Sequence, residues 1–221
     1  MNPLYQLSSI SQVYGGRTVL TVDSLTINRG TITGIVGPNG SGKSTLMRML
    51  AFLETPSAGT ILFNNKPASI ADTSLRRKTT LMTQHPYLLK RTVKENVEYG
   101  LNVRNLENIS GLAATALKEV GLEPETFLQR QWFELSGGEA QRVALASRLV
   151  LNPEVLLMDE PTSSLDEEST AKIREAAFRA KKERGTTLVI VSHDREWLTS
   201  IADRIVLVRN GQIEQETAPE R

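Results

Sequence analysis

Short apolar runs alternate with segments of helical spacing along most of this chain. Eight runs have strand character: LYQLSSI (4–10), VLTVDSLTI (19–27), TITGIVG (31–37), GTILFN (59–64), TTLMTQ (79–84), EVLLMDE (154–160), TTLVIVSH (186–193) and RIVLVRN (204–210). Several are apolar without interruption, as strands covered on both faces are. Asn210-Gly211 ahead of QIEQ is a hairpin signal, so an antiparallel pair is expected at this end. Helices are expected from Lys43 through STLMRMLAFL, from about Gly137 through EAQRVALASRLV, and from about Asp166. In the last, Ile173, Ala176, Ala177 and Ala180 form the apolar stripe, with Glu175 and Arg179 as an exposed pair. Residues 86–134 lack strong strand runs and read as short helices: TVKENVEYGL, GLAATALKEVG and PETFLQ. The pattern predicts an α/β core over 1–85 and 151–221, with a helical subdomain inserted at 86–150.

Composition narrows this little. With 39% hydrophobic and 23% charged residues, the chain reads as an ordinary soluble globular protein. Two tryptophans and five phenylalanines predict an aliphatic core. The net charge is +1 and no Lys/Arg run is present, so neither a nucleic-acid partner nor a polybasic membrane anchor is expected. Cysteine is absent, which excludes disulfides and thiolate-bound metals. MNPLYQLSSISQVYGG lacks the basic start and apolar run of a signal peptide, and no stretch approaches the eighteen or so apolar residues of a spanning helix.

Candidate chemistry sits at strand ends. GPNGSGKS (37–44) fits the phosphate-loop spacing G-x-x-x-x-G-K-[ST]. Gly37, Gly40 and Gly42 let the backbone curl until its N–H groups converge on phosphate oxygens; Pro38, Asn39 and Ser41 complete the loop. The helix that follows, with Thr45 in its first turn, offers free N–H groups and a positive dipole end. Lys43 brings a point charge to the outer phosphates, and Ser44 a hydroxyl for Mg2+. VLLMDE ends on two carboxylates whose side chains alternate in direction: Asp159 for the metal, Glu160 for the attacking water. Gln84 ends another run, where an amide reaches both metal and water, and His193 ends a third, where a ring N–H can donate to the terminal phosphate. His85 reads as an exposed loop residue. Tyr14, after the first strand, offers an aromatic face to adenine.

A kinase or GTPase would need no more than this. LSGGEAQR (135–142) adds a second anion cradle, Ser136-Gly137-Gly138 at a helix start. Two copies placed head to tail would let each chain's cradle cover the phosphate held by the other. Tyr14, GPNGSGKS, Gln84, LSGGE, LLMDE, SSLD (163–166) and His193, in this order, resemble the nucleotide-binding subunit of ATP-binding cassette (ABC) transporters across nearly the whole chain. SSLD stands where SALD is commoner, and Glu139 where glutamine is frequent.

The resemblance implies one ABC ATPase domain over 1–221: a P-loop, RecA-like core with an N-terminal antiparallel β region and the helical subdomain. It implies a homodimer holding two MgATP, with Ser136, Gly137, Gly138 and Glu139 binding ATP in trans and Asp166, of a residue type that caps helices, in a loop crossing the interface. It also implies separate membrane permease subunits, an indirect substrate-binding protein, and a peripheral position on the cytoplasmic face of the membrane. Tyr87, Leu88 and Leu89 are candidates for the permease contact, and LAFLETPSAGTILF and PYLLKRTVKENVEYGL are similar to ATPases of oxyanion importers, the tungstate or molybdate type above all. An ABC exporter, a soluble cassette ATPase and a small-molecule kinase remain the alternatives.

Overall fold

The computed structural model describes residues 2–107 and 109–217, with side chains through 214. It has ten strands, eight α-helices and one 3-10 turn among the described residues. They form two compact units. The first contains the described residues of Met1–Leu81, Glu154–Glu160 and Gly185–Arg221; the second contains those of Met82–Pro153 and Pro161–Arg184.

In the first unit, β1 (Pro3–Tyr14) and β2 (Arg17–Asn28) make a long antiparallel hairpin across Gly15-Gly16, and β1 also pairs antiparallel with β4 (Ala58–Phe63). β3 (Ile32–Val36) is buried at all five positions and lies parallel to both β8 (Thr187–Val191) and β9 (Arg204–Arg209). β7 (Val155–Asp159) lies parallel to β8. The hairpin expected at Asn210-Gly211 forms: β10 (Gln212–Thr217) runs antiparallel to β9. With β5 (Lys66–Pro67) and β6 (Thr79–Met82), the sheet order is β5-β4-β1-β2-β10-β9-β3-β8-β7-β6. The parallel strands all deliver their C-terminal ends to one edge, where ligands bind in open α/β sheets.

Helix α1 (Lys43–Leu50) follows β3 and buries Leu46, Met47, Met49 and Leu50. It stops sooner than its apolar sequence suggests, because Phe52 turns left-handed (φ 55°). The Phe52 ring joins Tyr5 and Phe63, with centroids 4.9–5.8 Å apart. The core is thus aliphatic around a three-ring centre, which the scarcity of aromatics had not predicted. The Tyr5 hydroxyl donates to the Leu50 carbonyl at 2.9 Å, so its burial is hydrogen-bonded. Two short helices complete this unit: α2 (Thr73–Lys78), capped by Asp72, and α8 (Arg195–Ile201), capped by Asp194. β6 ends at Met82 rather than 84, and the Thr83 hydroxyl then donates to the His85 carbonyl at 2.8 Å.

The second unit is helical: α3 (Val93–Val103), α4 (Leu112–Glu119), α5 (Pro124–Phe127), α6 (Gly137–Leu149) and α7 (Glu167–Arg184). Helices α3, α4 and α7 pack on α6. The boundaries differ from the expected 86–150: residues 82–85, 151–153 and the whole of α7 also lie in this unit, where Ile173, Ala176, Ala177 and Ala180 are buried.

Candidate functional site

In the first unit the ends of β3, β7 and β8 bring five of the predicted groups together. The loop 37–42 leaves β3 by a narrow passage. A Cβ on Gly37 would meet the Val208 carbonyl oxygen well inside 3.0 Å, so only glycine fits. Gly40 (φ 76°) and Gly42 (φ 102°) take the left-handed conformation, as the curled loop requires. Pro38, Asn39 and Gly40 are exposed, and Ser41 is buried beneath them. Lys43 is buried apart from 8% of its surface, and its ammonium donates to the carbonyls of Gly37 and Pro38 at 2.8 and 2.9 Å. The charge is therefore held inside the curl of the loop. Thr45 is buried in the first turn of α1.

Ser44 Oγ donates to Asp159 Oδ2 at 2.9 Å, across 115 residues of sequence. Two hard oxygens at one exposed point suit Mg2+, which takes few protein ligands and keeps water. Among the described residues no three His, Cys, Asp or Glu side chains cluster to form an all-protein metal cage. The Ser44–Asp159 pair thus fits a metal that arrives with phosphate oxygens.

Glu160, the next residue, is 8% exposed and adopts φ 50°, a conformation that disfavours a branched or long side chain. Its N–H donates to the Val191 carbonyl at 3.0 Å, which locks this turn to the end of β8. Its carboxylate meets His193 twice: Nε2 lies 3.1 Å from Oε1, and the His193 backbone N–H donates to Oε2 at 3.3 Å. The two residues named for water and terminal phosphate are partners. Beside them lies a cavity of about 300 Å3, lined in part by Gly37, Pro38, Ser192, His193, Arg195 and Arg209. Neither arginine was singled out from sequence: Arg195 lies between Asp194 and Glu196 and reads as part of a charged helix start, and Arg209 ends an apolar strand with no motif to mark it.

Tyr14 is half exposed at the end of β1, and its hydroxyl donates to Glu54. The ring face is left for a ligand while the polar end is occupied. Glu54 and Arg48, which also contacts Tyr14, were missed because they are six residues apart with the end of α1 between them, a spacing that signals no pair.

The second unit holds Gln84, Ser136, Gly137, Gly138, Glu139 and Asp166. Gln84 is exposed, and its carbonyl accepts from Gln141 at 3.3 Å. Ser136 caps α6: its Oγ accepts from the Glu139 N–H at 3.2 Å, and the Glu139 carboxylate accepts from the Ser136 N–H at 2.8 Å. This capping box occupies the Glu139 side chain, so the free donors of the cradle are the Gly137 and Gly138 N–H groups. Gly138 is close-packed: a Cβ there would run into Ser169. Asp166 caps α7 through the Ser169 N–H at 2.7 Å and the Ser169 hydroxyl at 3.1 Å, so the glycine turn and the SSLD loop touch. Its carboxyl lies below the usual carboxylate range, chiefly because of the Ser169 N–H.

With this geometry in place, the family model for ABC transporters matches residues 20–163. The chain belongs to the ABC transporter family. It is 36% identical over 221 residues to the spermidine/putrescine import ATP-binding protein PotA of Escherichia coli (strain K12), covering 99% of this chain and 58% of the relative. The PotA of Salmonella typhimurium is 37% identical over the same shares. The chain thus spans a little over half the length of these curated relatives. Among solved structures it is similar to the cassette MJ0796 in a dimeric post-hydrolysis state bound to ADP and Pi (TM-score 0.89, 32% identity, 99% of this chain and 100% of that one). It is also similar to cbiO1 of Clostridium perfringens, part of the transporter complex cbiONQ (TM-score 0.88, 30% identity, 99% and 90%). The expected α/β P-loop cassette is therefore the fold of this chain.

Proposed function

We propose that this chain is the ATP-hydrolysing subunit of an importer, working as a head-to-tail pair on separate membrane permease subunits at the cytoplasmic face. The observation that carries the reading is the buried Glu160 carboxylate, paired with His193 and one residue from the Ser44–Asp159 pair. A water held between such a carboxylate and a terminal phosphate has its proton acceptor in place.

The loop N–H groups and Lys43 bind the phosphates, and Tyr14 stacks on adenine. Ser44 and Asp159 would hold Mg2+, which when bound would supply positive charge to the phosphate oxygens. Glu160 takes the proton of the attacking water and His193 donates to the terminal phosphate. Gln84 would serve metal and water, as the family resemblance implies. The partner copy adds the Gly137 and Gly138 N–H groups, so ATP bridges two chains until hydrolysis removes the bridge.

Import is supported by the names of the PotA relatives, and an importer would take its cargo from a substrate-binding protein. Those names give spermidine and putrescine, so the oxyanion cargo expected from sequence finds no support among them. The nucleotide chemistry above contains no group that meets a cargo, and the cargo is left to the other subunits. Tyr87 and Leu89 are exposed and Leu88 is half-buried, as a permease contact in the second unit requires. Glu160→Gln should lower ATP turnover about 10²–10⁴-fold, the usual worth of a general base, in a phosphate-release assay. Turnover at the wild-type rate would overturn the assignment.

A further inference from the structure

The polar end of Tyr14 sits in a closed network that the nucleotide chemistry does not use. Glu54 accepts three donors: the Tyr14 hydroxyl, Gln12 Nε2 at 2.6 Å and Arg48 Nε at 2.9 Å. Arg48 Nη2 in turn donates to the Tyr14 oxygen at 3.2 Å and to Thr45 Oγ1 at 3.1 Å. Gln12 is buried, and its Oε1 accepts the Ser57 N–H at 2.9 Å. Every link lies in the first unit, and the network joins the end of β1 to the first and second turns of α1.

We propose that Glu54 is a positioning residue for the nucleobase: with Arg48 it fixes the Tyr14 ring before the base arrives and ties that ring to the helix of the phosphate loop. An exposed tyrosine at a strand end otherwise samples several rotamers and loses that freedom on binding. Anchoring the hydroxyl removes the loss in advance and leaves the ring face open. Burial pushes the Glu54 carboxyl up, but the Tyr14 hydroxyl and the Arg48 guanidinium outweigh it and hold the carboxyl below the usual carboxylate range. The acceptor is therefore an ionised one, and charge-assisted bonds are the stronger kind.

This inference rests on the reading that Tyr14 stacks on adenine, and the experiment separates the two. The probes are MgADP, which has a base, and magnesium tripolyphosphate, which has none; dissociation constants are read by calorimetry. Glu54→Ala and Tyr14→Phe should each weaken MgADP about two- to tenfold, the order expected for freeing one side chain, and leave tripolyphosphate unchanged. The double variant should be little weaker than either alone, because one network is lost once. If tripolyphosphate weakens as much as MgADP, the network merely supports the loop and the proposal fails. If Tyr14→Ala weakens MgADP but Glu54→Ala and Tyr14→Phe do not, stacking stands and the positioning role falls. If Tyr14→Ala changes nothing, the adenine reading falls and the proposal with it.

Discussion

Two glycines of one loop illustrate how differently a single residue can be fixed. Gly37 is held by space, since any Cβ would enter the Val208 carbonyl, which belongs to a sheet strand and cannot yield. Gly40 is held by its dihedral alone: nothing lies within 4 Å of its Cβ position, but φ is 76°. Gly37→Ala should therefore cost about 1–3 kcal/mol as an overpacked site and also displace the loop, so that nucleotide affinity falls with stability. Gly40→Ala should cost about 1–2 kcal/mol, the penalty of a left-handed non-glycine residue. Denaturant unfolding of both variants, alongside a binding titration, checks the order. From sequence the two glycines look alike as members of one motif. The difference depends on Val208, which lies 171 positions along the chain from Gly37, on another strand. Glu160 shows the same limit: it was read as the last residue of the strand, alternating with Asp159, but the strand ends at Asp159 and Glu160 turns left-handed (φ 50°), and its pairing with His193 was not legible.

At the scale of elements, caps are where local sequence and observed structure agree best. Ser136 and Glu139 form the reciprocal cap that S-x-x-E spacing encodes, as Thr92 and Glu95 do at the start of α3. Ser136→Ala should cost about 1 kcal/mol of stability by chemical denaturation. Glu139→Gln should cost under about 1 kcal/mol, because glutamine keeps the reciprocal bond and what is lost is the charge at the helix start and its half-exposed ion pair with Arg130 at 3.5 Å. The eight strand runs were legible because continuous apolar stretches bounded by turns have few other uses. What escaped was short: α2, α8 and β5 have two to seven residues each, too few for a period to show. The allocation of α7 escaped for another reason. Its alanine stripe says that one face is buried, but an amphipathic stripe carries no information about which neighbour buries it, and here α6 does.

For the whole molecule, the question is whether a nucleotide is completed by its own chain or by a second one. Two inactive variants answer it. Lys43→Ala removes the charge inside the phosphate loop while leaving the cradle on the second unit intact. Gly137→Glu puts a negative charge on that cradle while leaving the loop intact; nothing lies within 4 Å of the Gly137 Cβ position, and a carboxylate in the first helical turn suits the dipole, so the fold should hold. Each variant alone should be inactive in both sites of a symmetric pair. In a mixed pair, however, one site combines the intact loop of the Gly137→Glu chain with the intact cradle of the Lys43→Ala chain. Random pairing makes about half of the dimers mixed, each with one good site of two, so an equimolar mixture should recover about a quarter of wild-type ATP turnover if the sites act independently. If the cradle instead serves the nucleotide on its own chain, no mixture contains a complete site and turnover stays at the level of the separate variants. The comparison needs only the two purified chains and a phosphate assay, and it decides between one chain and two as the functional unit.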